Sequence, residues 1–166
     1  MARIFLSLGS NVGNRAETVR KAVIAISQLT RCVLIKESPL YETKPVAGPL
    51  QEDFLNQVIE ICCDVAPLSL LDSFQSIEKS LGRLRAERFG PRAIDIDILF
   101  YDNLILHDTY LTVPHPRLTD RLFVLCPFSD IAHDFIHPVR KKTIGTLMHE
   151  LKERVGGDQK VLRIEG

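Results

Sequence analysis

Four arginines (Arg83, Arg85, Arg88 and Arg92) crowd the ten residues after Gly82, through Gly90-Pro91-Arg92, and two aspartates follow in Ile94-Asp95-Ile96-Asp97-Ile98. In an extended strand successive side chains point to opposite faces, so Asp95 and Asp97 share a face about 7 Å apart, two rises of ~3.3 Å. Ile94, Ile96 and Ile98 take the other face and can enter a core. Carboxylates at that separation suit a pair of divalent ions, which stand about 3.5–4 Å apart in two-metal sites. Guanidinium groups pair bidentately with phosphate oxygens. Acid for metal beside base for phosphate is the chemistry of Mg-nucleotide phosphoryl transfer. An Asp-x-Asp pattern alone also fits an edge strand with one wet face, and an arginine loop alone fits plain solvation. Their adjacency points to the transfer chemistry.

His115 stands in Val113-Pro114-His115-Pro116-Arg117, where two prolines stiffen the backbone. A rigid, exposed histidine beside Arg117 and Arg121 suits a phosphate contact. His133 and His137 have i,i+4 spacing, but Pro138 follows and no third ligand is near, so they read as structural, as do His107 and His149. Residues 9–14 lack the Lys-Ser/Thr ending of a Walker A loop, and no GxGxxG follows a strand. Any nucleotide is then held by side chains and metal. Phosphoryl-type transfer, being mostly positioning and charge neutralisation, needs no Ser-His-Asp set.

The elements that must position these residues follow from hydrophobic period and turn chemistry. Residues 3–8 read as a buried strand, ended by a Gly- and Asn-rich loop. Asn14 can cap a helix over 16–29, whose Val19, Ala22, Val23, Ile26 and Leu29 recur at helical spacing. Residues 32–37 and 54–64 read as strands. Pro67 suits a first helical turn, and a helix over 68–81 carries Leu70, Leu71, Phe74, Ile77 and Leu81 on one stripe before Gly82 stops it. A strand over 94–101 follows, then a short helix over 122–132, bent or started at Pro127, and a helix over 143–154 capped by Thr143. The order β-α-β-β-α-β predicts an α+β, ferredoxin-like plan: a mainly antiparallel sheet with two helices on one face. Residues 44–53 and the arginine stretch are the two long loops, candidate lids or mere connectors.

Length and composition bound the rest. The chain has 166 residues and no repeat, low-complexity tract or linker, so 1–166 reads as one domain, large enough to fold without disulfides. Formal net charge is zero, from 21 basic and 21 acidic residues, which argues against a general nucleic-acid binder. Cys32, Cys62, Cys63 and Cys126 form no CxxC pair and read as reduced, mostly buried thiols of a cytoplasmic protein. The N-terminus lacks the apolar h-region of a signal peptide, and no segment approaches 18 apolar residues, so no membrane span is expected. The last dozen residues, through Gly156-Gly157, are expected to be disordered.

Five separated motifs carry a resemblance: Leu8-Gly9-Ser10-Asn11, Ser38-Pro39-Leu40-Tyr41-Glu42-Thr43, Phe54-Leu55-Asn56, Gly90-Pro91-Arg92-Ala93-Ile94-Asp95-Ile96-Asp97-Ile98 and Val113-Pro114-His115-Pro116-Arg117. In this order the chain closely resembles the 6-hydroxymethyl-7,8-dihydropterin pyrophosphokinases, a folate-pathway family, from the first strand to about Ala132. The resemblance implies a ferredoxin-like fold with long active-site loops and transfer of pyrophosphate from ATP to the pterin hydroxymethyl, releasing AMP. By the family pattern Asp95 and Asp97 would hold two Mg2+ ions. Arg83 and Arg92 would neutralise the transferring group with Arg85 assisting, while His115 and Arg121 grip phosphates. Gln75, Glu78 and the backbone near Ile98 would contact the nucleoside. The pterin would lie between Phe54 and Phe123, bonded by Asn56 and by backbone around Thr43 and Val46. Phe54 and Phe89 stand where some relatives have larger or hydroxyl-bearing aromatics, and Glu52 where proline is frequent.

The residue chemistry agrees with that pattern. Aromatic faces suit a flat heterocycle, and the Asn56 amide offers donor and acceptor to an amino-pyrimidinone edge, although either phenylalanine alone fits a core. Asp97 is the candidate acceptor of the hydroxyl proton. The implied partners are ATP and the pterin, with no nucleic acid, membrane or obligatory protein partner. Two rivals stay open at this point: a noncatalytic ferredoxin-like binding module, and a two-metal nuclease that would need further acidic ligands.

Overall fold

The computed structural model describes residues 1–44, 52–82 and 93–164. Its first strand, β1 (Ala2–Ser10), is buried on both faces except at Arg3, which places it at the centre of the molecule. Asn14 then caps α1 (Arg15–Ser27) as expected, its side-chain oxygen accepting from the Glu17 N–H. Strands β2 (Cys32–Glu37), β3 (Leu40–Thr43) and β4 (Phe54–Cys63) precede α2 (Pro67–Ser80), which has its proline in the first turn. Gly82, at φ +94°, follows that helix in a conformation that favours glycine.

After β5 (Asp95–Tyr101) come a two-residue ribbon of β6 (Leu106–His107) and β7 (Thr112–Val113), then a 3-10 turn at Leu118–Asp120. The chain continues through α3 (Leu122–Ala132), α4 (Ile144–Val155) and β8 (Val161–Ile164). Helix α3 starts five residues before Pro127 and runs through it, whereas α4 has the Thr143 cap read from sequence, accepting from Thr146 N–H.

The main sheet runs β5-β1-β4-β3-β8, with β2 also on β4, and every pairing in it is antiparallel. Period-two alternation gives it two differently built faces. Ile4, Leu6 and Leu8 of β1, Ile59 and Ile61 of β4, and Ile96 and Ile98 of β5 pack with α1 and α2. Phe5, Val58, Leu99 and Phe100 pack with α3 and α4 around Phe128. The expected two helices on one face are therefore only half of the arrangement. The α3–α4 pair covers the other face, because α3 is apolar nearly all round and is sandwiched between the sheet and α4.

Three further expectations change. The last dozen residues are not disordered throughout: Val161–Ile164 adds a strand to β3, from Leu40 opposite Ile164 to Thr43 opposite Val161. β3 itself, four residues long, is too short to announce itself by alternation. Cys32 and Cys63 are not reduced thiols but a disulfide. They stand directly opposite across β2 and β4 with Cα atoms 4.3 Å apart, while Cys62 and Cys126 are free. Among the described residues no helix is long and apolar enough to cross a membrane.

Candidate active site

On the α3 face the apolar packing stops halfway along the strands. The ladder sets Gly9 between Asn56 on β4 and Asp95 on β5, and Ser7 between Val58 and Asp97. These are neighbouring rows of one face, so two carboxylates, an amide and a glycine gap share the corner where β1 ends and β4 and β5 begin. The alternation reading of Asp95 and Asp97 holds: both are half-buried on this face, while Ile94, Ile96 and Ile98 are buried on the other. A Cβ at Gly9 would stand 3.1 Å from Asn56 Oδ1 and 3.7 Å from Phe54 Cδ1, so the missing side chain leaves these two residues their room.

Phe54 and Asn56 alternate onto this face, with Thr43 opposite Phe54 and Tyr41 opposite Asn56. Asn56 is buried, yet its Nδ2 has no hydrogen-bond partner among the described residues, and neither has Ser10 Oγ. An unpaired buried amide costs about 1–3 kcal/mol, a penalty that a ligand hydrogen bond would remove.

The basic side comes from the segment before α3. His115 N–H donates to Leu99 O at 2.9 Å, tying its loop to β5. The Arg117 N–H donates to His115 Nδ1 at 3.1 Å, which puts the proton of a neutral ring on Nε2. Burial, with Arg121 and Arg117 adding repulsion, pulls the His115 pKa down to about 4, so the ring is neutral at pH 7 and offers an Nε2–H. It is half-buried rather than exposed, because its loop packs against β5. Burial also pushes Arg121 below its ordinary range, while Asp97 and Asp95 pull it back up, so the guanidinium is within electrostatic reach of both carboxylates. Its Cζ lies 5.5 Å from the centroid of the Phe123 ring.

At the outer edge of β5, Ile96 N–H donates to the buried Glu78 carboxylate at 2.9 Å. By the two-residue period the Ile98 backbone turns to the same edge, which β1 does not occupy. Gln75 is exposed on α2, three residues before Glu78. Thus Asp95, Asp97, His115, Arg121, Phe123, Phe54, Asn56 and Thr43 converge on one corner, with Glu78 and Ile98 along its edge. Arg83, Arg85, Arg92 and Val46 lie outside the described residues, as does Phe89.

Some participants carried no assigned role in the sequence. Arg15 joins both strands of the Thr43–Phe54 rung, through Nη2 to Glu42 Oε2 at 2.7 Å and Nη1 to Asp53 O at 2.8 Å. Asn11 Nδ2 donates to Glu52 O at 3.1 Å. Asn11 was visible only as part of a motif, and Arg15 only as the start of a helix; their partners are distant in sequence.

Paired carboxylates, a neutral histidine and a half-buried arginine on one face of an antiparallel α+β sheet are a donor set whose chemistry suits a phosphotransferase. The relatives narrow that class. The sequence model of the 7,8-dihydro-6-hydroxymethylpterin-pyrophosphokinase family matches residues 5–133, and this chain belongs to that family. The 2-amino-4-hydroxy-6-hydroxymethyldihydropteridine pyrophosphokinase of Haemophilus influenzae is 40% identical over 138 residues, covering 83% of this chain and 86% of that protein. The protein of the same name from Bacillus subtilis is 42% identical over 127 residues, 76% of each chain. A solved Plasmodium falciparum HPPK-DHPS with pteroate shares the fold at TM-score 0.78 and 17% identity. The match covers 99% of this chain and 46% of that one.

Proposed function

We propose that this chain transfers a pyrophosphoryl group from ATP to the hydroxymethyl oxygen of 6-hydroxymethyl-7,8-dihydropterin, giving AMP and the pterin diphosphate. The observation that carries the reading is the placement of Asp95 and Asp97 on the same face as Asn56, whose buried Nδ2 lacks a partner among the described residues. The hydroxymethyl oxygen attacks the β-phosphorus, the bond from that phosphorus to the oxygen shared with the α-phosphate breaks, and AMP departs. No covalent enzyme intermediate is needed. Asp97 is the candidate acceptor of the hydroxyl proton.

Asp95 and Asp97 offer hard carboxylate oxygens, a set that fits Mg2+, which typically takes one or two protein carboxylates and completes its shell with phosphates and water. Two such ions would neutralise charge on the ATP phosphates. Among the described residues no third acidic or histidine ligand joins the pair, which suits a metal brought with its nucleotide. His115 donates Nε2–H to a phosphate oxygen without adding charge, and Arg121 supplies the fixed positive charge. Arg83 and Arg92, with Arg85, would meet charge that develops during transfer. Glu78, Gln75 and the Ile98 backbone hold the nucleoside at the edge of β5. Phe54 and Phe123 sandwich the pterin, Asn56 bonds its amino-pyrimidinone edge, and backbone at Thr43 and Val46 closes it. Both substrates are small, water-soluble molecules, which suits a cytoplasmic enzyme without an obligatory protein partner.

The test is a coupled assay of AMP release from MgATP. AMP that requires the pterin and disappears with EDTA supports the reaction and its metal together. Tight pterin binding without AMP release would instead favour a binding module on the same fold.

A further inference from the structure

Helix α3 presents Phe123 to the site, but its N-cap position is Arg121, a residue that makes no side-chain cap. The cap comes from the far end of the chain. Gln159, beyond α4, accepts the Leu122 N–H on Oε1 at 2.9 Å and donates from Nε2 to Asp120 O at 2.9 Å. These two bonds straddle Arg121, so one side-chain amide holds the peptide groups on both sides of it. Arg121 needs such a hold. With φ −126° and ψ 104° it is an extended residue between a 3-10 turn and an α-helix, where the backbone changes course. A small torsional change there is magnified along a long side chain and tilts the start of the helix as well.

Arg154 of α4 adds contacts to Asp120 Oδ1 at 3.1 Å and Thr119 O at 3.4 Å. Both partners of that ion pair are more than half exposed, so solvent screens it. Gln159 is half-buried and its segment is anchored at both ends, by Asp158 N–H to Val155 O and by the pairing of β8 with β3.

We propose that Gln159 is a positioning residue for catalysis. By clamping Asp120 and Leu122 it keeps the Arg121 guanidinium near Asp95 and Asp97 and the Phe123 ring beneath it. The inference rests on the pyrophosphokinase reading and adds to it a part from beyond residue 133, where the family match ends.

The experiment compares the full chain with Gln159→Leu, Gln159→Glu and Arg163→Ala by steady-state AMP release, thermal unfolding and NMR of the substrate-free protein. Arg163 lies on β8 and makes no bond to residues 120–122 among the described contacts. Gln159→Leu is expected to lower kcat/KM about tenfold, roughly 1.4 kcal/mol of transition-state stabilisation, with Tm lowered by only a few degrees, the scale of a lost helix cap. It should also shift the Arg121 Nε–H and Phe123 ring resonances. Gln159→Glu keeps the acceptor for the Leu122 amide but sets a carboxylate oxygen against Asp120 O, so it is expected to lose about three- to tenfold, and Arg163→Ala nothing. Wild-type kinetics and unmoved resonances in Gln159→Leu would overturn the proposal, as would an equal loss in Arg163→Ala. Wild type that releases no AMP sinks the reaction reading, whereas the resonances test the clamp without substrate.

Discussion

The two faces of β1, β4 and β5 are made by the same residues in alternation, yet they do different work. Toward α1 and α2 the strands present Ile4, Leu6, Leu8, Ile59, Ile61, Ile96 and Ile98, an apolar surface interrupted only at its Ser10 and Gln57 end. Toward α3 and α4 they present Phe5, Val58 and Phe100 in one half. The other half holds Ser7, Gly9, Asn56, Asp95 and Asp97. One face supplies stability along most of its length; the other gives up half of its packing for a polar corner. Because each aspartate sits between isoleucines of the opposite face, the dry side fixes the height and direction of the wet one. A packed strand is thereby a stiffer mount for two carboxylates than a loop of the same composition.

The sharpest way to break the comparison is to substitute neighbouring residues on β5. Asp95→Ala and Asp97→Ala each remove a proposed metal ligand and are expected to lower Mg-dependent kcat/KM on the order of 10³-fold, or several kcal/mol, with little change in urea midpoint. Near-normal turnover in either variant would refute the metal assignment. Ile96→Ala, between them but on the dry face, should do the reverse. It is 4% exposed, and its truncation is expected to cost about 2–5 kcal/mol in urea unfolding while the folded fraction keeps its substrate KM values.

Asn56→Leu tests the polar corner from the pterin side. It removes a buried amide whose Nδ2 is unpartnered among the described residues, so the protein should be no less stable. The pterin KM should rise roughly tenfold or more while the ATP KM changes little, since about 1–3 kcal/mol of ligand hydrogen bonding is lost. Equal shifts in both KM values would show general distortion instead.

An effect on stability rather than activity concerns pH at the packed end of the same face. His137 stands edge-on to Phe100, and its Nδ1 accepts from Val139 and Arg140 N–H. Burial, with Arg140 adding repulsion, pulls its pKa from 6.5 down to about 4. Between those values the unfolded chain binds the proton and the folded one does not. Stability is therefore full above about 6.5 and declines as pH falls toward 4, by on the order of 2–3 kcal/mol. His137→Asn keeps an acceptor near Nδ1 without the titration and should flatten that decline in a series of urea titrations. An unchanged slope would assign the acid sensitivity elsewhere, His115 being the other histidine pulled down to about 4.

What was legible in the sequence tracks how local the physics is. β1 and β4 span nine and ten residues, enough for their apolar runs to declare them. Asn14, Thr143 and Pro67 declare helix starts through contacts within three residues. Asp95 and Asp97 read correctly because a period of two needs no tertiary information. β3 and β8 have four residues each and exist because they pair, a non-local fact. The Cys32–Cys63 bridge depends on the β2–β4 register, which spacing alone does not contain. The contacts of Arg15 and Gln159 were hidden for the same reason: each joins segments 27 to 39 residues apart.

The central claim, that the polar half of the α3 face receives the pterin, is tested most directly by titrating the ¹⁵N-labelled chain with 6-hydroxymethylpterin and following the Asn56 side-chain amide. The account predicts that both Nδ2 protons shift downfield with saturation, together with the Phe123 backbone amide, while the amides of α1 stay in place. A silent Asn56, or shifts centred on α1, would contradict it.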